Sequence, residues 1–290
     1  MSKLRSWSAR TFFDYATERE AIRLRRAAGR PRELWTEDPI FREFRFCNIF
    51  REDDRTTLWF SSRFREPHRM DVEVLLGTII FRWFNRISTG EILLNEHLLI
   101  DWDAEKARKA LVEVKPLVTG AYIIKTPNGL NKLDGVISCC QTAWDQRADL
   151  QDSIYCASTL ETAHRELMNL PFLGSFMAYE LVTDLAHTCY LDLAEDLDTW
   201  AAVGPGAARG LGGVTGNDPS KFSYTSVKSQ RAMLEIMREL LECSRLKEYW
   251  RWQGRRWRMR EVEHTLCEFD KYERTRLGQG QPKQRFEPCM

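Results

Sequence analysis

The chain has 290 residues, 43% hydrophobic and 29% charged, with a formal net charge of +1. That balance describes a folded globular chain and excludes both disorder and nucleic-acid binding by bulk positive charge, while leaving room for a local basic surface. No stretch approaches the roughly 18 uninterrupted apolar residues of a membrane span, and the first residues carry no apolar run behind their charges, so neither a membrane protein nor a secretory signal is expected.

The periodicity is helical nearly throughout. Phe12, Phe13, Ala16, Ala21, Ile22 and Leu24 give the first segment an apolar side. Gly29 and Pro31 break it, and Thr36, before Glu-Asp-Pro, is a candidate N-cap for a new helix. DVEVLLGTIIFRWF (71–84) is apolar on almost every side, as in a central helix, with a buried strand over VEVLLGTIIF as the competing reading. Further helices are expected at about 103–115, 131–147, 158–169, 173–188, 225–245 and 258–275. GAYIIKT (120–126), followed by Pro127, Asn128 and Gly129, reads as a short strand entering a turn. Residues 204–220 read as a glycine-rich loop, and the tail after Leu277 as flexible. The expected fold is all-α with at most a short β-hairpin. Residues 1–290 would form one helical domain or two lobes, about 1–150 and 151–290, with the site between them.

Eight cysteines, at 47, 139, 140, 156, 189, 243, 267 and 289, contain no C-x-x-C. Without a signal sequence they read as reduced thiols. The five histidines form no H-x-x-x-H and pair with no cysteine at ligand spacing, so no metal site is expected.

The most specific local pattern is LPFLGSFMA (170–178), which resembles the helix-hairpin-helix element L-P-G-[IV]-G-x-x-x-A. In that element, hairpin amides bind a DNA phosphate, as helix N-termini can. Gly174 and Ala178 match; Phe172 stands where the element has its first glycine. An ordinary packed turn is the plain alternative. In LDTWAAV (197–203), Asp198 lies where helix-hairpin-helix glycosylases place an Asp at the base pocket, and it equally suits an N-cap at Thr199. The 204–216 segment could cradle phosphate oxygens or simply turn the chain at the surface, and no G-x-x-x-x-G-K-[ST] occurs to support kinase chemistry.

Arg51/Arg55 and Arg82/Arg86 are spaced i,i+4, so each pair is expected on one helical face, suited to carboxylate or phosphate. Pairing with Glu52, Asp53 and Asp54 is the plainer use of the first pair. Residues 245–260 interleave Lys247, Arg251, Arg255, Arg256 and Arg258 with Tyr249, Trp250, Trp252 and Trp257, a mixture fit for phosphate contact and base stacking. It fits equally a solvated helix face with its tryptophans turned inward.

Taken together, FRFCNIFREDDRTT (44–57), FRWFNR (81–86), FLGSFMAYELVTDL (172–185), GPGAARGLGG (204–213) and VEHTLCEFDKYER (262–274) resemble the alpha-glutamyl/putrescinyl thymine pyrophosphorylases. These amino acid:DNA transferases of phage thymine hypermodification are similar in fold to helix-hairpin-helix DNA glycosylases. The related 5-hydroxymethyluracil DNA kinase joins a similar helical domain to a P-loop kinase, and the lack of that kinase part here favours the transferase. The resemblance implies an amino acid, glycine or glutamate, displacing pyrophosphate from 5-(pyrophosphoryloxymethyl)uracil in double-stranded DNA, with the base flipped out of the stack.

It further implies site roles. Asp198, Glu268 or Asp184 would take the ammonium proton. Arg51 or Arg55 would hold the amino acid carboxylate. Arg82, Arg86, Lys271 and the 204–213 amides would meet the departing pyrophosphate, and Arg209 would touch DNA. Asn48 or Asn85 would read the uracil edge, and Tyr179 would line the pocket. Gly174, Ser175, Arg255 and Arg256 would touch DNA. Cys47 or Cys267 could add at C6, although core thiols are the commoner case. No cofactor is certain; Mg2+ is the ion that would travel with pyrophosphate. The expected place is the host cytoplasm. Two rivals remain: a helix-hairpin-helix glycosylase acting on a modified pyrimidine, although 170–190 contains no lysine nucleophile, and a non-catalytic DNA-binding protein.

Overall fold

The computed structural model describes residues 6–217 and 221–286. Among them are thirteen α-helices: α1 (Ser6–Ala27), α2 (Pro39–Glu43), α3 (Arg55–Phe60), α4 (Glu73–Phe84), α5 (Ile87–Asn95), α6 (Ala104–Leu111), α7 (Lys132–Asp145), α8 (Arg147–Tyr155), α9 (Leu160–Leu167), α10 (Ser175–Leu185), α11 (Pro205–Thr215), α12 (Val227–Ser244) and α13 (Met259–Arg276). The fold is all-α, and the described residues form no strand, only an isolated bridge between Phe44 and Arg285. The chain divides into two compact units. Unit one comprises 1–54 and 198–290, and unit two comprises 55–197, so the division does not fall at residue 150.

Unit one is organised by aromatic packing. Phe12 and Phe13 of α1 meet Trp257, and Phe12 also packs edge-on against Phe269 of α13. Tyr15, Phe41, Phe46 and Tyr272 form a second ring cluster. The α2 N-cap is Asp38, whose side chain accepts from the Ile40 and Phe41 amides; the expected cap, Thr36, instead accepts from the Asp38 amide. Proline at the first helical position fixes that choice, because its missing N–H is one the cap need not satisfy.

The 204–216 segment is a helix, not a loop. Gly204 is its N-cap, Pro205 its first residue and Gly216, at φ 66°, its left-handed cap. Its glycines serve close packing. A Cβ at Gly206 would lie 2.4 Å from Cys267 Sγ, and one at Gly210 would lie 2.3 Å from the Leu266 carbonyl. Tertiary contact with α13 thus overrides a helix cost of about 1 kcal/mol per glycine.

In unit two, α4 sits at the centre, with every residue from Val74 to Phe84 buried. Its helical form settles the strand alternative. Left-handed Asn85 (φ 44°) stops α4, and Arg86 runs extended into α5, so Arg82 and Arg86 do not share a helical face. Arg51 and Arg55 are likewise separated, because Asp54 between them is extended.

Residues 120–126 are not a strand: Ile123 is exposed, and the Ile124 carbonyl accepts from Lys132 Nζ. A strand needs a partner edge, and the surrounding elements are helices. No helix starts at Thr199, which removes the N-cap role of Asp198. Seven cysteines are free thiols; Cys289 lies outside the described residues, as does the start of the chain.

Candidate active site

The strongest convergence of chemical groups in unit one joins the 46–54 segment to one face of α13. Glu263, His264, Cys267, Glu268 and Lys271 recur at three- and four-residue spacing, which stacks them along one side of the helix. The facing segment is held in shape from α1. Arg19 Nε donates to the Phe46 and Cys47 carbonyls at 3.2 and 3.0 Å, and its Nη2 donates to Asn48 Oδ1 at 2.6 Å. Asn48 closes the turn by donating its backbone N–H and Nδ2 to Asp54 Oδ1 at 3.0 and 2.9 Å. The two elements are then tied directly, as the Cys47 amide donates to Glu268 Oε2 at 3.0 Å.

The electrostatics follow from crowding charges in an enclosed place. Burial pushes the Glu268 carboxyl up, but Lys271, His264 and the Cys47 amide outweigh it, leaving Glu268 below its ordinary value and ionised. Lys271, whose Nζ donates to Glu268 Oε1, is correspondingly raised despite its burial. Burial pushes Asp54 up to about 6 against the pull of the Asn48 hydrogen bond and Arg51. Glu263, which accepts from the Gly204 amide at 3.3 Å, is pushed up to about 7 by burial. Burial and the neighbouring Arg51, Arg260 and Lys271 hold His264 down at about 4. The Cys47 thiol is raised by its dense surroundings, Glu268 and Asp54, although the residue is open to solvent.

Of the sequence-derived residues, Cys47, Asn48, Arg51, Cys267, Glu268 and Lys271 belong to this cluster. Asn48 is committed to the turn, which leaves its amide ill placed to read a base. Arg51 is buried in the short turn Arg51–Asp53. Asp198 instead pairs with Arg256, and Arg255 pairs with Asp53 while lying 3.9 Å over the Phe50 ring. Arg209 is bound to Asp270 at 3.0 Å. Trp250 and Trp257 are buried, so the basic segment turns these two tryptophans inward, while Trp252 is half-buried beneath Arg251.

A second constellation lies in unit two. Asp184 is fully buried; Arg82 reaches its two oxygens through Nε at 2.6 Å and Nη2 at 2.9 Å, and Arg65 Nη1 adds a third bond at 2.9 Å. Arg82 also donates to Asn85 Oδ1 at 2.7 Å. A carboxylate saturated by two guanidiniums is a poor proton acceptor, and the geometry is that of a clasp between α4, α10 and the Ser61–Arg65 turn. Tyr179 is buried on α10; Arg55 is exposed at the start of α3; Arg86, half-buried, donates to Ser88.

In the turn between α9 and α10, Phe172 adopts φ 65°, the left-handed conformation that glycine favours, at the position where the hairpin element has its first glycine. Gly174 caps α10, and exposed Ser175 accepts His164 Nε2 on its carbonyl at 2.9 Å.

Sequence reasoning missed Glu263, His264 and Asp54 as site residues. The i,i+4 spacing of His264 and Glu268 was the available signal.

A family model described as the helical domain of 5-hmdU DNA kinase matches residues 6–281. The chain belongs to this family. A relative, the 5-hmdU DNA kinase of Bacillus phage SP10, is 27% identical over 222 residues, which are 69% of this chain and 35% of that protein. The chain therefore corresponds to well under two thirds of that relative's length. No solved structure matches the chain.

Proposed function

We propose that the chain is a DNA-modifying transferase acting on 5-(pyrophosphoryloxymethyl)uracil, with the amino group of glycine or glutamate as nucleophile. The observation that carries this reading is the meeting of 46–54 and 263–271 in one cluster that sets Arg51 and Lys271 beside Glu263 and Glu268. A reaction that consumes an ammonium and releases pyrophosphate needs cations and a carboxylate base side by side. Family membership supports a substrate derived from hydroxymethyluracil, because the phage relative is named for 5-hmdU in DNA.

The division of labour follows the hydrogen bonds. Glu268 has both oxygens engaged, by the Cys47 amide and Lys271, and serves to hold Lys271 and the 46–54 turn. Glu263 has one oxygen on the Gly204 amide and the other without a partner among the described residues, so it takes the proton. The ammonium gives one proton to Glu263, and the free amine attacks the exocyclic methylene. The C–N bond forms as the C–O bond breaks, and pyrophosphate departs with the electron pair toward Arg51 and Lys271. The nitrogen then loses its second proton to solvent. The base must leave the duplex first, at a cost of about a few kcal/mol. The α10 N-terminus at Gly174 and Ser175 offers amides suited to a DNA phosphate. A phage enzyme of this kind works in the host cytoplasm.

The test is a transfer assay. DNA bearing pyrophosphorylated hydroxymethyluracil is incubated with the protein and amino acids, digested to nucleosides and analysed by mass spectrometry. The expected product is a nucleoside heavier by one amino acid, absent with Glu263→Gln and Glu268→Gln while DNA binding persists. Release of free base with abasic DNA would replace this reading with the glycosylase. An unchanged digest with binding intact would leave a non-catalytic DNA-binding protein.

A further inference from the structure

Cys47, Asp54 and His264 bring a thiol, a carboxylate oxygen and an imidazole nitrogen to within 4.8 Å of one another. Each has a ligand atom to spare. Asp54 Oδ1 is taken by the two Asn48 donors, while Oδ2 has no partner among the described residues. His264 Nε2 is buried without a hydrogen-bond partner among them. A buried ring nitrogen left unpaired costs free energy, and a protein retains one most readily where something else occupies it. The Cys47 side chain makes no hydrogen bond, and the residue is open to solvent.

We infer that Cys47, Asp54 and His264 bind a single divalent ion of the zinc class. Thiolate, imidazole and carboxylate together suit a borderline-soft cation such as zinc far better than Mg2+ or Ca2+, which take oxygen ligands. Three protein ligands leave the fourth tetrahedral position open, as catalytic zinc sites do and closed structural sites do not. Solvent-accessible Cys47 puts that position within reach of water or an anionic oxygen. Bonds of about 2.0–2.3 Å to each ligand set tetrahedral donor atoms roughly 3.3–3.8 Å apart, inside the 4.8 Å that bounds their separation here. The surrounding shell is already organised: Asn48 orients Asp54, and Glu268 holds the Cys47 backbone. The inference goes beyond the proposed transfer and does not depend on it.

The 290-residue chain, stripped with a chelator and dialysed, is titrated with Co2+ and separately with Zn2+. The expected result is one ion per chain, with a thiolate-to-Co2+ charge-transfer band in the near ultraviolet. Zn2+ should displace Co2+ and erase that band. Cys47→Ser should lose the band, and His264→Gln and Asp54→Asn should lose stoichiometric binding, with helical circular dichroism retained. Should a variant fail to fold, the wild-type spectrum decides alone, because a cobalt site without sulfur lacks the band. Wild type that binds no ion, that binds without the thiolate band, or that binds no more tightly than folded Cys47→Ser would overturn the site. Amino acid transfer is read separately, so its failure leaves this result standing, and the reverse.

Discussion

Asp184 shows how much a single buried charge can decide. Its carboxylate has no contact with solvent and takes three hydrogen bonds from Arg65 and Arg82. Removing the acid leaves two guanidiniums facing each other in a core from which water is excluded. Replacing Asp184 by leucine should therefore cost about 3–5 kcal/mol, the usual penalty for orphaning a buried charge. Substituting all three members together, Arg65→Met, Arg82→Met and Asp184→Leu, should cost less than the single change, because no charge is then left uncompensated. Urea unfolding of the single and triple variants checks both statements. A triple variant less stable than the single one would show that the clasp contributes more through its geometry than through its charge. At the opposite extreme, the Asp198–Arg256 pair joins an exposed guanidinium to a half-buried carboxylate, and a pair that water reaches in this way is worth much less.

At the scale of elements, the packing of α11 on α13 distinguishes two kinds of close approach. The Cβ of Gly206→Ala meets the Cys267 side chain, whereas that of Gly210→Ala meets the backbone carbonyl of Leu266. A side chain can be removed and a backbone cannot. Gly210→Ala should lower stability by about 1–3 kcal/mol. Gly206→Ala should do so only while Cys267 is present; in the background of Cys267→Ala it should be neutral or stabilising, since alanine favours the helix. Thermal unfolding of the four proteins gives the answer, and equal losses from Gly206→Ala in both backgrounds would refute the assignment. The same helix shows where the sequence was hard to read. Most helices declare themselves by periodicity, and the expected 131–147 and 258–275 lie within a few residues of α7 and α13. Glycines in α11 hide the helix because their reason is a neighbour some sixty residues away; only Pro205 at the start and Gly216 at the end mark it locally. The expected 120–126 strand has the opposite fault: its composition favours a strand, but the fold offers it no edge.

For the whole molecule, the candidate site was legible in part, as Asn48, Arg51, Glu268 and Lys271 sit in segments whose pattern drew attention. Its assembly was not, because the Cys47–Glu268 contact spans 221 residues, and no spacing rule reaches across such a distance. Titration behaviour also belongs to the folded whole. His164, buried between α9 and α10 with Nε2 on the Ser175 carbonyl, is held below its ordinary value of 6.5 by burial, against the pull of that hydrogen bond and Glu161. Below pH 6.5 the unfolded chain takes up a proton here that the folded chain refuses. The stability His164 contributes is therefore intact above 6.5 and declines as pH falls toward its folded value. The raised carboxyls act in the opposite sense: Glu263, at about 7, and Asp54, at about 6, keep protons in the fold that the unfolded chain gives up, so their contribution declines as pH rises through those values. Because the two effects oppose each other, the raw pH–stability curve cannot be assigned to one group, and a difference is needed. His164→Gln keeps a donor for the Ser175 carbonyl and removes the titration. The stability difference between wild type and this variant should narrow or change sign on going from pH 7 to pH 5, as wild type alone loses the His164 contribution. An NMR titration of the His164 ring supplies the independent measure. A midpoint at or above 6.5, or a difference that does not vary with pH, would show that burial does not govern this histidine.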